Sequence, residues 1–135
     1  MGTRYAVVRD RLYRAQHCKC AFCEFKEQGL YNDVEHYRPK AAADRRPGSG
    51  HTHGYWWLAW TWENLLFACA NCNRSHKRTQ FPLKVGSTSL AAREAPPGAE
   101  SPLLIDPASE DPIEHIQFRF ADIAGRDRWM PTPRN

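Results

Sequence analysis

No stretch of this chain approaches the roughly 20 consecutive apolar residues that a membrane span requires, so no membrane-embedded protein is expected. The N-terminal MGTRYAVVRDRLYR lacks an apolar core segment, and no secretory signal peptide is read there. Cysteine is present five times, and an odd number does not close a disulfide framework. The cytoplasm is therefore the expected compartment, where paired cysteines more often hold a metal than form bridges. There is no internal repeat and no extended low-complexity segment.

What is present fits one soluble globular domain. The 135 residues suffice for one domain but not two full ones, and 41% are hydrophobic and 25% charged. Five tryptophans and six phenylalanines supply bulky core material, while ten prolines and eight glycines point to a loop-rich fold. A short, loopy chain often needs a staple, and a metal is one. The net charge of +4 is mild but unevenly placed. Arg9, Arg11, Arg14 and Lys19 precede the first cysteine pair, Arg38, Lys40, Arg45 and Arg46 follow it, and Arg74, Lys77 and Arg78 follow the second; acidic residues gather late, from Glu100 to Glu114. A basic first half suits a polyanionic partner, although a merely solvated surface has the same look.

Apolar spacing predicts a helix over residues 4–17, through Tyr5, Val8, Leu12 and Ala15. Asn32–Tyr37 reads as a short strand ended by Pro39, and Leu65–Ala68 as a second. Residues 70–79 read as a short helix opening at a cysteine turn. KAAADRRPGSGHTHG is expected to be a loop, with His51 and His53 incidental to function, and YWWLAWTW to be mostly core. Residues 85–101 read as a further loop, HIQFRF as a strand, and the end of the chain, with Pro131 and Pro133, as an irregular tail.

Two Cys-x-x-Cys knuckles, Cys20/Cys23 and Cys69/Cys72, are separated by a long insert. Four thiolates satisfy zinc's preference for tetrahedral soft ligands, and a closed sulfur shell makes the ion structural rather than catalytic. Cys18 is the odd cysteine, and His17 beside it is read as a surface residue. The clip would draw together whatever lies just beyond each knuckle: Glu35 and His36 after the first, Asn73 and His76 after the second, with Asn64 ahead of the apolar run. Glu35 and His36, adjacent on a strand, point to opposite faces, and Asn73 and His76 at i, i+3 share a helix face. Glu35 and Asn73 are oxygen donors of the kind that form a sparse magnesium site. His36 can take a proton from water near neutrality. These are parts for metal-assisted phosphodiester hydrolysis. On its own, a Glu-His pair on a strand is more often simply polar surface.

Taken together, CAFCE, EHYRPK, GYWWLAWTWENLLFACANCNRSHK, FPL and LLIDPASEDPIEHIQF resemble the HNH endonucleases, in the zinc-containing group found with retrons and Septu-type anti-phage systems. The resemblance implies an α+β fold: a small ββα-metal core, about residues 30–80, stapled by a four-cysteine zinc, with an N-terminal helix and a loop-rich C-terminal extension over 85–135. The whole of 1–135 would form one nuclease domain. It implies His36 as general base, Glu35 and Asn73 as ligands of a catalytic magnesium or manganese ion, and Asn64 as the residue that braces the loop and orients the histidine. Cys20, Cys23, Cys69 and Cys72 would hold the zinc. His76 or Lys77 would be a third metal ligand or a phosphate contact respectively, with His76 preferred near the metal. Arg38, Lys40, Arg74, Lys77 and Arg78 are the basic residues expected along nucleic acid, with DNA preferred over RNA, and an ATPase partner protein is implied by the group. The alternative is a zinc-stapled module that binds nucleic acid or protein without catalysis. A zinc deaminase is rejected, because its His-x-Glu order is reversed here and Ala68 stands where its Pro-Cys-x-x-Cys needs proline.

Overall fold

The computed structural model describes residues 5–27, 32–46 and 52–134. The chain divides into two compact units, Met1–Leu104 and Ile105–Asn135, each a mixture of short helical and extended segments.

The first unit opens with α1 (Ala6–Ala15). Leu12 is the buried anchor of its apolar face, packing with Leu65 and Phe67 and flanked by Val8, Tyr13 and Val34. The helix stops at Gln16, and His17 and Cys18 then take positive φ. The Gln16 amide does the work of a neighbouring strand. Its Oε1 accepts from the Phe67 N–H at 2.7 Å and its Nε2 donates to the Phe67 carbonyl at 2.9 Å; with the Ala21 N–H on the same carbonyl at 3.0 Å, this covers the strand edge.

Strands β1 (Asp33–His36) and β4 (Leu65–Ala68) form an antiparallel pair with Asp33 opposite Ala68, Val34 opposite Phe67, Glu35 opposite Leu66 and His36 opposite Leu65. Directly opposed residues share a face. One face therefore turns Val34, His36, Leu65 and Phe67 towards α1, and the other carries Asp33, Glu35, Leu66 and Ala68. Leu66 joins the larger core of Tyr37, Ala43, Tyr55, Leu58, Phe81 and Leu90.

Between these strands the described part of the insert is not all loop. Ala42–Ala43 (β2) and Thr52–His53 (β3) form a two-residue antiparallel ladder. Gly54 makes this return possible: a Cβ there would lie 2.5–2.6 Å from the backbone of Lys40 and Ala41. His53 is exposed, and His51 lies outside the described residues. A buried polar network secures the insert. Arg45 donates to the Tyr55 hydroxyl at 3.1 Å, Tyr55 donates to Glu100, and Arg38 donates to the other Glu100 oxygen at 2.8 Å.

The aromatic segment corrects the expectation of core. It forms two tight turns, Trp56–Leu58 and Trp62–Asn64. Tyr55 and Leu58 are buried, but Trp56, Trp60 and Trp62 are 55%, 53% and 45% exposed. Three-residue turns have no single inward stripe, so only some of the rings can reach the core.

After β4, α2 (Asn71–Lys77) is wound as a π-helix, with the Arg78 N–H on the Asn73 carbonyl at 2.8 Å, an i→i+5 bond. In the second unit β5 (Ile116–Asp122) pairs with β6 (Asp127–Pro133), where the sequence suggests an irregular tail. Pro131 and Pro133 have the same parity, so both can sit where no ladder N–H is asked for. Ala124 and Gly125, both at positive φ, make the hairpin turn.

Candidate functional site

The four predicted thiols meet. The sulfurs of Cys20, Cys23, Cys69 and Cys72 all lie within 4.8 Å of one another, and every cysteine among the described residues is free of a disulfide. Zinc–sulfur bonds of about 2.3 Å require tetrahedral sulfurs to lie close together in this way. Backbone N–H groups already point at the sulfurs, Cys69 N–H at Cys20 Sγ (3.3 Å) and Cys72 N–H at Cys69 Sγ (3.4 Å). The cluster can hold a zinc ion. Cys18 is outside it and His17 is exposed.

His36 is 5% exposed, on the α1 face of β1. Its Nε2 lies 3.1 Å from the Ala59 carbonyl, and the Tyr5 ring meets it edge-on with centroids 5.1 Å apart. A carbonyl has no proton to give, so this bond fixes the hydrogen on Nε2 and leaves Nδ1 with a free lone pair. Burial pushes the imidazole pKa down, and the charges of Lys40 and Lys77 add to this while the Ala59 bond opposes it. The neutral, proton-accepting form is therefore favoured at neutral pH.

Asn64, 4% exposed, braces the chain just beyond His36. Its Oδ1 accepts from the Arg38 N–H at 2.7 Å; its Nδ2 donates to the carbonyls of Arg38 (3.1 Å) and Leu58 (3.2 Å). Its own carbonyl accepts from Tyr37 N–H at 3.0 Å.

Glu35 and His36 occupy opposite faces, as strand alternation requires. Glu35 is 8% exposed and faces the ammonium of Lys77, 3.6 Å from Oε1. Burial pushes the Glu35 pKa up and the Lys77 pKa down; the attraction between them works against both shifts. Lys77 Nζ is buried and, among the described residues, has no hydrogen-bond partner. Asn73 turns to Asp33 instead, its Nδ2 donating to Oδ2 at 2.9 Å, and Arg74 grips both Asp33 oxygens at 2.8 Å. The Arg74 hydrogen bond holds the Asp33 carboxyl below its usual range, with a smaller contribution from Asn73 and an opposing one from burial. His76 is exposed, and among the described residues it makes no hydrogen bond or ion pair. The π winding accounts for this: a wider turn brings Lys77, four residues on from Asn73, to the strand face instead of His76.

Glu35 faces Lys77 and Asn73 bonds Asp33, and among the described residues the cysteine cluster is the one group of three or more His, Cys, Asp or Glu side chains close enough to hold a metal ion. Of the basic residues expected along nucleic acid, Lys40, Arg74 and Arg78 are exposed, whereas Arg38 is buried on Glu100 and Lys77 on Glu35.

A cleft of about 340 Å³ runs beside β1, lined by Tyr5, Arg9, Asn32, Asp33, Val34, Asn73 and Arg74. Sequence reasoning passed over Asp33 and Tyr5. Asp33 had a signal, since it stands two residues before Glu35 on one strand face; Tyr5 had none, because its role depends on where α1 packs.

No protein-family model matches the chain, and no solved structure matches it. Over 121 residues, 86% of this chain, it is 40% identical to the Septu protein PtuB of Bacillus mycoides (strain KBAB4), of which the match covers 40%. It is also 30% identical over 101 residues, 74% of this chain, to the Septu protein PtuA of the same strain, covering 14% of that protein. The chain thus spans less than half the length of the curated relatives it matches. By sequence it is a homologue of Septu protein PtuB across most of its own length.

Proposed function

We propose that this chain is an HNH-type endonuclease, hydrolysing phosphodiester bonds of nucleic acid, DNA foremost, as the effector of a Septu anti-phage system in the cytoplasm. The HNH-like motifs and the PtuB homology support the class. Homology to both PtuB and PtuA supports work alongside other Septu components, and the resemblance implies an ATPase among them. The observation that carries the chemistry is the buried, neutral His36 with Nε2–H committed to Ala59 and Nδ1 left as a base.

In this reading Nδ1 of His36 takes a proton from water, and the oxygen attacks phosphorus in line. The bond from phosphorus to the 3′ oxygen breaks with its electrons on that oxygen, which takes a proton from solvent. Asn64 holds the loop that supplies the Ala59 carbonyl and so keeps the imidazole in its tautomer. The zinc ion would be held by Cys20, Cys23, Cys69 and Cys72 and would supply rigidity alone. The magnesium or manganese ion implied by the resemblance would be held at Glu35 with Lys77 displaced, and would supply positive charge beside the phosphate.

Glu35 being occupied by Lys77 is also what favours the second reading, a zinc-stapled binding module without catalysis. One experiment separates them: plasmid, single-stranded DNA and RNA incubated with the zinc-loaded chain and with His36→Ala, without added magnesium or manganese and with either. The nuclease reading expects cleavage that His36→Ala lowers by about 100-fold or more. Cleavage confined to added magnesium or manganese would mean that Glu35 exchanges Lys77 for the ion; cleavage without either would leave the positive charge to Lys77. Undiminished cleavage by His36→Ala would remove His36 as the base, and binding without cleavage in every condition would establish the second reading.

A further inference from the structure

We infer that Trp60, stacked on Tyr5, is a platform for an unpaired base, so that the substrate beside His36 is single-stranded nucleic acid; this rests on the nuclease reading and names its substrate class. The Trp60 and Tyr5 rings lie 4.3 Å apart and within 21° of parallel. With one indole face so covered, a residue that is still 53% exposed presents its other face and edges to solvent. Covering that face with a base would remove apolar area from water.

The platform is tied to the imidazole. The Tyr5 hydroxyl donates to the Ala59 carbonyl at 3.0 Å, and the same carbonyl accepts from His36 Nε2 at 3.1 Å. One oxygen thus sets the positions of both the stacked rings and the base. Tyr5 also lines the cleft beside β1, so platform and cleft are continuous. The charge is of the matching sign. Lys40 Nζ lies 4.3 Å from the Tyr5 ring centroid and is exposed, with no ion pair among the described residues.

An aromatic face one ring away from a cation that has no ion pair among the described residues matches a base and its phosphate. A duplex cannot use the face, because its bases are already stacked on each other and offer only edges and backbone. A protein partner would value the ring equally but gives no role to a free lysine over the neighbouring one.

The test uses the full zinc-loaded chain without added magnesium or manganese and follows fluorescence anisotropy of a labelled oligothymidylate of about 16 nucleotides, against a duplex of equal length. Trp60→Ala should weaken single-strand binding about 10-fold, and Trp60→Phe, which keeps a stacking ring, by no more than about 3-fold. Duplex binding should be the same for all three. Photocrosslinking of the unmodified chain to an oligonucleotide carrying 5-iodouracil needs no folded variant, and should label the segment 56–62. Native-like single-strand binding by Trp60→Ala, equal loss on duplex and single strand, absence of single-strand binding, or crosslinks confined elsewhere would each overturn the platform. Cleavage on the same variants with added magnesium keeps the two ideas apart. Cleavage with Trp60-independent binding sinks the platform alone, whereas Trp60-dependent binding without cleavage sinks the nuclease and leaves the platform.

Discussion

Among the described residues the carbonyl of Ala59 is the acceptor of the His36 Nε2–H, and that bond decides which nitrogen can act as a base. Because burial lowers the folded-state pKa of His36 below the ordinary value of about 6.5, the folded chain holds fewer protons there than the unfolded chain. His36 therefore contributes stability that is complete above about pH 6.5 and is lost as pH falls through its folded pKa. Urea midpoints measured from pH 8 down to 5 should fall at the acid end, and less so in His36→Ala. The rate of cleavage should show an acid limb with its midpoint below about 6.5. Asn64 offers a second test at this scale. Removing its amide strands the buried Arg38 N–H and two carbonyls, so Asn64→Ala should cost about 2–3 kcal/mol by chemical denaturation. Asn64→Asp keeps the acceptor but sets a buried carboxylate oxygen against two carbonyls, and should cost at least as much as the alanine.

At the scale of elements, the cysteine clip joins the turn after α1 to the turn that opens α2. The segments it gathers are small: a four-residue strand, another of four, and a seven-residue helix. None would persist alone. Zinc bound at such a site contributes free energy of the same order as a small domain's whole stability. Elemental analysis should find zinc stoichiometric with the chain, and a strong chelator or Cys69→Ser should abolish the cooperative melting transition seen by circular dichroism. An unchanged transition in the metal-free chain would assign the stability to packing. The α2 winding matters at this scale too. Asn73 and His76 would share a face of an ordinary helix, but the i→i+5 bond at Asn73 turns Lys77 inward and leaves His76 on the surface.

Across the first unit as a whole, positions far apart in sequence hold the insert that carries Asn64 and Ala59. Arg38 and Glu100, 62 residues apart, meet at 2.8 Å with side chains 9% and 0% exposed. Tyr55 and the Leu90 N–H complete the shell around Glu100. Arg38→Ala would leave this carboxylate buried without its cation and should cost about 3–5 kcal/mol, measured by denaturant unfolding. Pairing it with Glu100→Leu should recover part of the loss, since the uncompensated charge goes with the second change. A denaturation curve for Arg38→Ala that overlays the native one would show the pair to be dispensable.

What the residues dictated by themselves was local and periodic. Leu65–Ala68 is strand at the bounds its apolar run predicts, Asn32–Tyr37 is strand less one residue at each end, and the Cys-x-x-Cys spacing brought four sulfurs together. The opposition of Glu35 and His36 also followed from alternation alone. Decisions between near neighbours belonged to the tertiary structure, because they turn on contacts with distant segments. Which tryptophans reach the core, whether Lys77 or His76 faces Glu35, and that Asn73 meets Asp33 were settled by the turns at 56–64 and the π winding of α2. The pairing of β6 with β5 likewise needed the partner strand, since prolines forbid a strand only where a ladder N–H is demanded.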